Sequence, residues 1–235
     1  MKTIGLLGGM SWESTAVYYR QMNEEIRNRA GGLHSAKILL HSFDFAEIVA
    51  YQTAGDWKKA AGLLLEAARR LEAAGADLLL ICTNTMHQVA DDVQAAVTIP
   101  LVHIVDVTAE AIAAQGLKRI GLLGTKYTMS MDFYRERMKQ HGIELLVPPV
   151  DEQTEINRVI FEELCQGIVK KSSRDAYQET VRDLKSRGAQ GIILGCTEIM
   201  LLLNQDDLPL PMFDSTTLHV QKAVELAMHS NVLTS

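Results

Sequence analysis

The chain is short of what would make it secreted, membrane-bound or nucleic-acid-binding. Only three cysteines occur in 235 residues, Cys82, Cys165 and Cys196, with no C-x-x-C pair. That excludes a disulfide framework and a zinc ribbon, and it leaves free thiols suited to a reducing compartment. Five prolines against 16 glycines leave no segment that reads as a long flexible linker. Positive charge is also in deficit: Lys and Arg total 23 against 29 Asp and Glu, a net charge of −6. Such a field repels phosphate backbones and anionic lipid, so neither nucleic acid nor a membrane surface is expected as a partner. Apolar runs such as Leu78–Ile81 stop after a few residues, against about 20 for a membrane span. Near the start, Gly8-Gly9 and Trp12-Glu13 interrupt the apolar stretch before a signal-peptide core is complete, and a cytoplasmic location is expected. Nucleotide and metal signatures are missing as well: Gly5-x-x-Gly8-Gly9 lacks the spacing of a dinucleotide or phosphate loop, and there is no H-E-x-x-H.

What is present is an ordinary globular composition, 47% hydrophobic and 22% charged, with a mean hydropathy of +0.03, enough to build a sizeable core. Short apolar runs alternate with longer stretches of helical periodicity, the pattern of a parallel sheet with helical crossovers, so the fold class is α/β. Strands are predicted at Thr3–Leu7, Lys37–His41, Asp77–Ile81, Leu101–His103, Arg119–Leu123, Glu144–Val147 and Gly191–Leu194. Their continuous apolar character is that of strands covered on both faces. Helices are predicted at Glu13–Arg29, Trp57–Ala74, Val105–Gln115, Met131–Gln140, Glu152–Cys165, Ser172–Arg187 and Ser215–His229.

The chain also repeats itself. Lys2-Thr3-Ile4-Gly5-Leu6-Leu7-Gly8 returns as Lys118-Arg119-Ile120-Gly121-Leu122-Leu123-Gly124, identical at six of seven positions. A second echo, in the same order and at nearly the same offset, links Ala74–Ile81 to Arg187–Leu194. Two homologous α/β halves are therefore expected: a first domain of 1–99 completed by a C-terminal helix at 215–235, and a second of 100–214. Duplicated units of this kind place equivalent strand ends across one cleft, where ligands of open parallel sheets bind.

Continuing the second echo without a gap sets Cys82-Thr83-Asn84-Thr85 against Gly195-Cys196-Thr197-Glu198, so that Thr83 answers Cys196. A one-residue gap would pair Cys82 with Cys196 instead; the ungapped register is preferred. Both tetrapeptides follow a strand and precede a predicted helix, where backbone N–H groups and short hydroxyls gather around an anion. Two proton-handling groups, one from each half, suit inversion at a carbon centre. A thiol, with a reference pKa of about 8.5 that falls at helix N-termini, is the better base. A hydroxyl can donate a proton or relay one through water. Cys196 lies outside its strand and reads as functional, whereas Cys82, last in an apolar strand, and Cys165, within a helix, read as buried structural thiols. His87 and His103 fit either general bases or satisfied buried groups.

At Gly8-Gly9-Met10-Ser11-Trp12, Cys82-Thr83-Asn84-Thr85-Met86-His87, Gly124-Thr125-Lys126-Tyr127-Thr128 and Gly195-Cys196-Thr197-Glu198, the sequence resembles the aspartate/glutamate racemase family along essentially its whole length. The resemblance implies two pseudo-symmetric α/β domains, a homodimer, no pyridoxal phosphate or other cofactor, no metal, and one cysteine from each domain on opposite sides of the substrate α-carbon. The family's first motif, Cys-Asn-Thr-x-His, reads Thr83-Asn84-Thr85-Met86-His87 here, so Thr83 stands where the first catalytic cysteine would be; the second cysteine is Cys196. By the same resemblance Met10, Gln52, Asn84, Thr85, Thr125, Thr197 and Glu198 line the substrate, with Asn84, Thr85, Thr125 and Thr197 on its α-carboxylate and ammonium and Glu198 orienting or pairing with a polar group. Gln52 and Gln166 stand near where aspartate-selective relatives carry an Arg and a Lys. Neutral amides there would relax the preference for a side-chain carboxylate.

The expected activity is cofactor-independent racemisation of aspartate, glutamate or a related polar amino acid, with Cys196 and Thr83 as acid/base groups. The alternatives are a related cysteine-dependent isomerase or decarboxylase of small carboxylates, and a non-catalytic small-molecule-binding protein.

Overall fold

The computed structural model describes residues 1–229; the expected C-terminal helix therefore lies partly outside the described residues, at 230–235. The chain divides into two compact units, Met1–His103 together with the chain from His219 onward, and Ile104–Leu218.

The first unit is built on β1 (Ile4–Gly8), β2 (Ile38–Ser42) and β3 (Leu78–Ile81), all parallel, in the order β2-β1-β3. Every residue of β1 and β3 is buried, as continuous apolar runs in a covered parallel sheet require. Around them lie α1 (Trp12–Ala30), α2 (Phe45–Ala54), α3 (Trp57–Ala73) and α4 (Ala90–Ala95). Ser11, Asp44 and Asp56 cap α1, α2 and α3, each accepting a backbone N–H of its helix's first turn. The core gathers Leu7, Ile48, Leu64, Leu71, Leu79 and Val93.

In the second unit, four parallel strands, β4 (Arg119–Gly124), β5 (Glu144–Leu146), β6 (Gly191–Gly195) and β7 (Met212–Asp214), run in the order β5-β4-β6-β7. Its helices are α5 (Ile104–Ala114), α6 (Lys126–Ser130), α7 (Asp132–Gln140), α8 (Val150–Glu162) and α9 (Lys171–Ser186). The last helix, α10 (Ser215–Met228), starts in the second unit, where Ser215 Oγ donates to the Leu194 carbonyl at 2.9 Å. From His219 it belongs to the first, where the Lys2 N–H donates to the Ala227 carbonyl at 2.8 Å.

Each sheet pairs its glycine-bearing strand with a branched neighbour in the same way. Gly5 of β1 lies opposite Leu79, and Gly121 of β4 opposite Ile192. A Cβ on Gly5 would fall 2.7 Å from Leu79 Cδ2, and one on Gly121 would fall 2.6 Å from Ile192 Cδ1. The missing side chain is thus filled by the neighbouring strand, which is the physical content of the repeated Ile-Gly-Leu-Leu-Gly.

Several elements differ from the sequence reading, which passes over the short helices α4 and α6 as well. Leu101–His103 is not a strand: only Leu101 makes a bridge, to Leu79, and α5 starts at Ile104. The three-residue β7, of which only Phe213 is buried, follows Pro211 and carries too few residues for a periodic signal. Ten-residue α2 buries only Ile48 and Gln52, a seam one turn long. Glu152–Cys165 is not one helix, because α8 ends at Glu162 and Leu164–Gln166 forms a separate 3-10 turn closed by Gly167 at φ +72°.

Candidate active site

In both units the residues singled out by the sequence follow the carboxyl ends of the two central strands. Register within each sheet fixes their correspondence. In the first, β1 and β3 pair as far as Leu7 with Ile81, and the Cys82 N–H donates to the Leu7 carbonyl. In the second, Leu123 pairs with Leu194 and Gly124 with Gly195. Leu7 and Leu123 are equivalent in the repeat, so Ile81 matches Leu194, Cys82 matches Gly195 and Thr83 matches Cys196. Each sheet thereby selects the ungapped register.

Cys82 is fully buried, and burial alone pushes its thiol far above the ordinary range. Thr83 is half-buried and opens a turn whose following residues Asn84, Thr85 and His87 are all buried. His87 Nδ1 lies 2.8 Å from the Thr83 carbonyl oxygen. Because a carbonyl only accepts, Nδ1 carries the proton. The His87 ring packs edge-to-face on His103, with centroids 4.6 Å apart, and on His219, 5.7 Å away. His219 Nε2–H donates to the Val102 carbonyl at 2.8 Å, and its Nδ1 accepts the Tyr18 hydroxyl at 2.9 Å. Burial holds His219 neutral, its pKa lowered to about 4. His87 and His103 are thus buried groups beneath the turn, joined by a histidine and a tyrosine that lie far off in the sequence.

Gln52 reaches the same turn, its Nε2 donating to Met86 Sδ at 3.1 Å. Met10 is buried in the core of the unit. Beside it the chain needs glycine: Gly9 has φ +84°, and a Cβ there would lie 2.4 Å from the Phe43 carbonyl oxygen. The Gly9 N–H instead donates to Thr15 Oγ1 at 2.8 Å.

In the second unit Thr125 caps α6, its Oγ1 accepting from the Thr128 N–H. Thr197 is half-buried and opens a 3-10 turn, Thr197–Leu201. Cys196 is half-buried just before it, and its Sγ–H donates to Glu198 Oε2 at 2.9 Å. Gln166 is exposed. The turn carrying it is tied down by buried Glu163, which accepts from Ser173 Oγ at 2.6 Å, Arg158 at 2.9 Å and Lys170 at 3.2 Å. These contacts hold the Glu163 carboxyl down at about 2. Among the described residues no group of three or more His, Cys, Asp or Glu is arranged to hold a metal ion, and no helix is long and apolar enough to cross a membrane.

One expectation is overturned. Neither tetrapeptide leads into an α-helix; each leads into a five-residue 3-10 turn. The start of the turn after Cys196 lowers its thiol only through the Glu198 backbone N–H, and this is outweighed. Burial raises it well above its ordinary value, and the Glu198 carboxylate raises it further by its charge and by accepting the S–H.

Two like parallel sheets with a hydroxyl and a thiol at matching strand ends define a duplicated α/β protein of the kind that takes its ligand at the carboxyl ends of its strands. The chain belongs to the Asp/Glu/hydantoin racemase family, whose profile matches residues 7–223. It is 53% identical to a candidate Asp/Glu racemase of known structure from Yersinia pestis, with a TM-score of 0.92 over 97% of this chain and 99% of that one. An aspartate racemase homologue from Pyrococcus horikoshii is 39% identical, with a TM-score of 0.85 over 97% and 99%. A broad-specificity amino-acid racemase from Bacillus subtilis is 24% identical over 91% of this chain and 92% of its own length.

Proposed function

We propose that the protein is a cofactor-independent amino-acid racemase acting at the α-carbon of aspartate, glutamate or a related polar amino acid. Cys196 removes the proton of the L-enantiomer, and Thr83 donates or relays one to the opposite face. The observation that carries this reading is the strand register, from which Thr83 and Cys196 count to equivalent positions just beyond the ends of β3 and β6. Asn84, Thr85, Thr125 and Thr197 offer the short polar groups that a zwitterionic α-amino acid needs. The amide of Gln52 favours a polar side chain without demanding a carboxylate. A thiol and a hydroxyl move the proton without pyridoxal phosphate or a metal, and the working form we propose is a cytoplasmic homodimer.

Incubation with a panel of L-amino acids in D₂O tests the reading. Deuterium should enter at Cα, with the D-enantiomer forming at a slower rate, because a threonine hydroxyl is a poorer proton donor than a thiol. Carbon dioxide release without exchange would instead mark a decarboxylase, and tight binding without exchange a binding protein.

A further inference from the structure

The outward face of α1 carries large aromatic side chains that the fold leaves uncovered. Trp12 is 67% exposed and Tyr19 55%; Ala16 and Arg20 are exposed beside them, and Glu13 is half-buried. A Cβ on Gly8 would strike both Thr15 Cγ2, at 2.5 Å, and Leu40 Cδ1, at 2.8 Å. Leu40 of the edge strand β2 therefore lies on the α1 side of the sheet, and it too is exposed. Apolar side chains scattered singly are ordinary on a surface, but two aromatics and a leucine grouped beside an arginine have the make-up of an interface. The face is also self-complementary. At 3.6 residues per turn, with Ala16 in the middle, Trp12 and Tyr19 stand about 40–60° round the helix to one side, and Glu13 and Arg20 about 40–60° to the other. Along the axis Trp12 and Glu13 lie about 4.5–6 Å before Ala16, and Tyr19 and Arg20 as far after it. A two-fold rotation about a line in the contact plane, perpendicular to α1 and level with Ala16, reverses the helix and keeps each side on its own side. It sets Trp12 against the partner's Tyr19 and Glu13 against the partner's Arg20, each pair occurring twice.

We propose that this face of α1 is where two copies of the chain meet, the helices packed antiparallel across a two-fold axis at Ala16. This rests on the homodimer of the functional reading and assigns its surface. The charges select a second copy as the occupant: on one side of the helix the acid precedes Ala16 and the base follows it, so a copy reversed end to end joins opposite charges at both ends. On the other side the aromatic pair, bordered by Leu40, supplies the apolar area, and Trp, Tyr and Arg are the residue types that anchor interfaces. The small side chain of Ala16 lets the helices approach at the crossing. The contact bears on the candidate site as well. Ser11, the cap of α1, directly follows Met10, and Thr15 Oγ1 accepts the Gly9 N–H, so a partner packed on α1 steadies the segment that carries Met10.

Sedimentation equilibrium of the full chain at about 1–100 μM reads the association constant, with circular dichroism to show that each variant is folded. The parent should be a dimer in this range. Ala16→Glu, which sets two like charges at the crossing, should weaken association by about a hundredfold or more. Glu13→Arg and Arg20→Glu should each weaken it by about tenfold or more, since each sets like charges opposite one another at two places. The double variant, with both charges reversed, should return to within about threefold of the parent. Residues 13 and 20 are two turns apart on one helix and do not touch, so such a rescue can arise only between copies. A parent still monomeric at about 100 μM, or single variants whose association stays within about twofold of the parent, would overturn the α1 contact, as would a double variant no better than the single ones. A chain that dimerises through α1 but exchanges no amino acid would bring down the racemase reading alone, and exchange by a monomeric parent would bring down the interface alone.

Discussion

His87 spans its own turn to hold Thr83: Nδ1–H donates to the Thr83 carbonyl, four residues back, at 2.8 Å. The imidazole thereby fixes the backbone that presents Thr83, Asn84 and Thr85. His87→Ala should cost about 1–3 kcal/mol, since the carbonyl loses its buried donor, and should lower kcat/KM as the turn loosens. His87→Asn, which keeps a donor, should recover part of both. Urea unfolding beside steady-state kinetics checks this; an alanine variant as stable and active as the parent would refute it.

Cys196→Ala should abolish Cα exchange, a loss of about 10²–10⁴-fold or more, because it removes the group that takes the proton. Cys196→Ser should fare little better. Cys82→Ala should keep exchange within a few-fold, because Cys82 faces the core. An active folded Cys196→Ala protein would remove Cys196 from the site.

Thr83→Cys should raise the rate of inversion relative to Cα exchange, by giving the second face a group of nearly matched acidity. The ratio is read from chiral chromatography and mass spectrometry of the same D₂O incubation. A folded variant with an unchanged ratio would show that Thr83 does not limit reprotonation.

Stability should fall on mild acidification. His219 is neutral in the folded protein down to about pH 4, whereas in the unfolded chain it takes a proton near 6.5. Between these values the unfolded state binds more protons, so this contribution is complete above pH 6.5 and is lost on descending to about pH 4, amounting to about 3 kcal/mol at most. Glu163, held at about 2, loses its contribution lower, as pH falls from about 4.5 to about 2. Urea midpoints at pH 7 and 5 should differ for the parent and converge in His219→Gln, while Glu163→Gln leaves that interval nearly unchanged.

The parts legible in the sequence are those set by local repetition. The Ile-Gly-Leu-Leu-Gly runs disclosed both central strands, and the second echo, Ala74–Ile81 against Arg187–Leu194, sets Thr83 against Cys196. What escaped depends on chain brought together from a distance. Nothing near His219 or Tyr18 announces that they meet beneath His87, and the three-residue β7 exists only because β6 offers an edge. The Cys196–Glu198 contact was within reach of a two-residue spacing. Its sign was missed because a helix was assumed where a 3-10 turn stands, and a turn so short sets little more than the Glu198 N–H against burial and a carboxylate.

The way α10 returns to the first unit bears on the order in which the protein is made. His219 and Ala227 complete contacts with Tyr18, Val102 and Lys2, yet they leave the ribosome after every residue of the second unit. The first unit to be synthesised is therefore the last to be finished. Until then its nascent sheet must wait with the seat of the closing helix open. A chain stopped after Leu218 should keep the second unit's strands while binding the dye ANS through that open seat, and native-like ANS binding by the truncated chain would refute this.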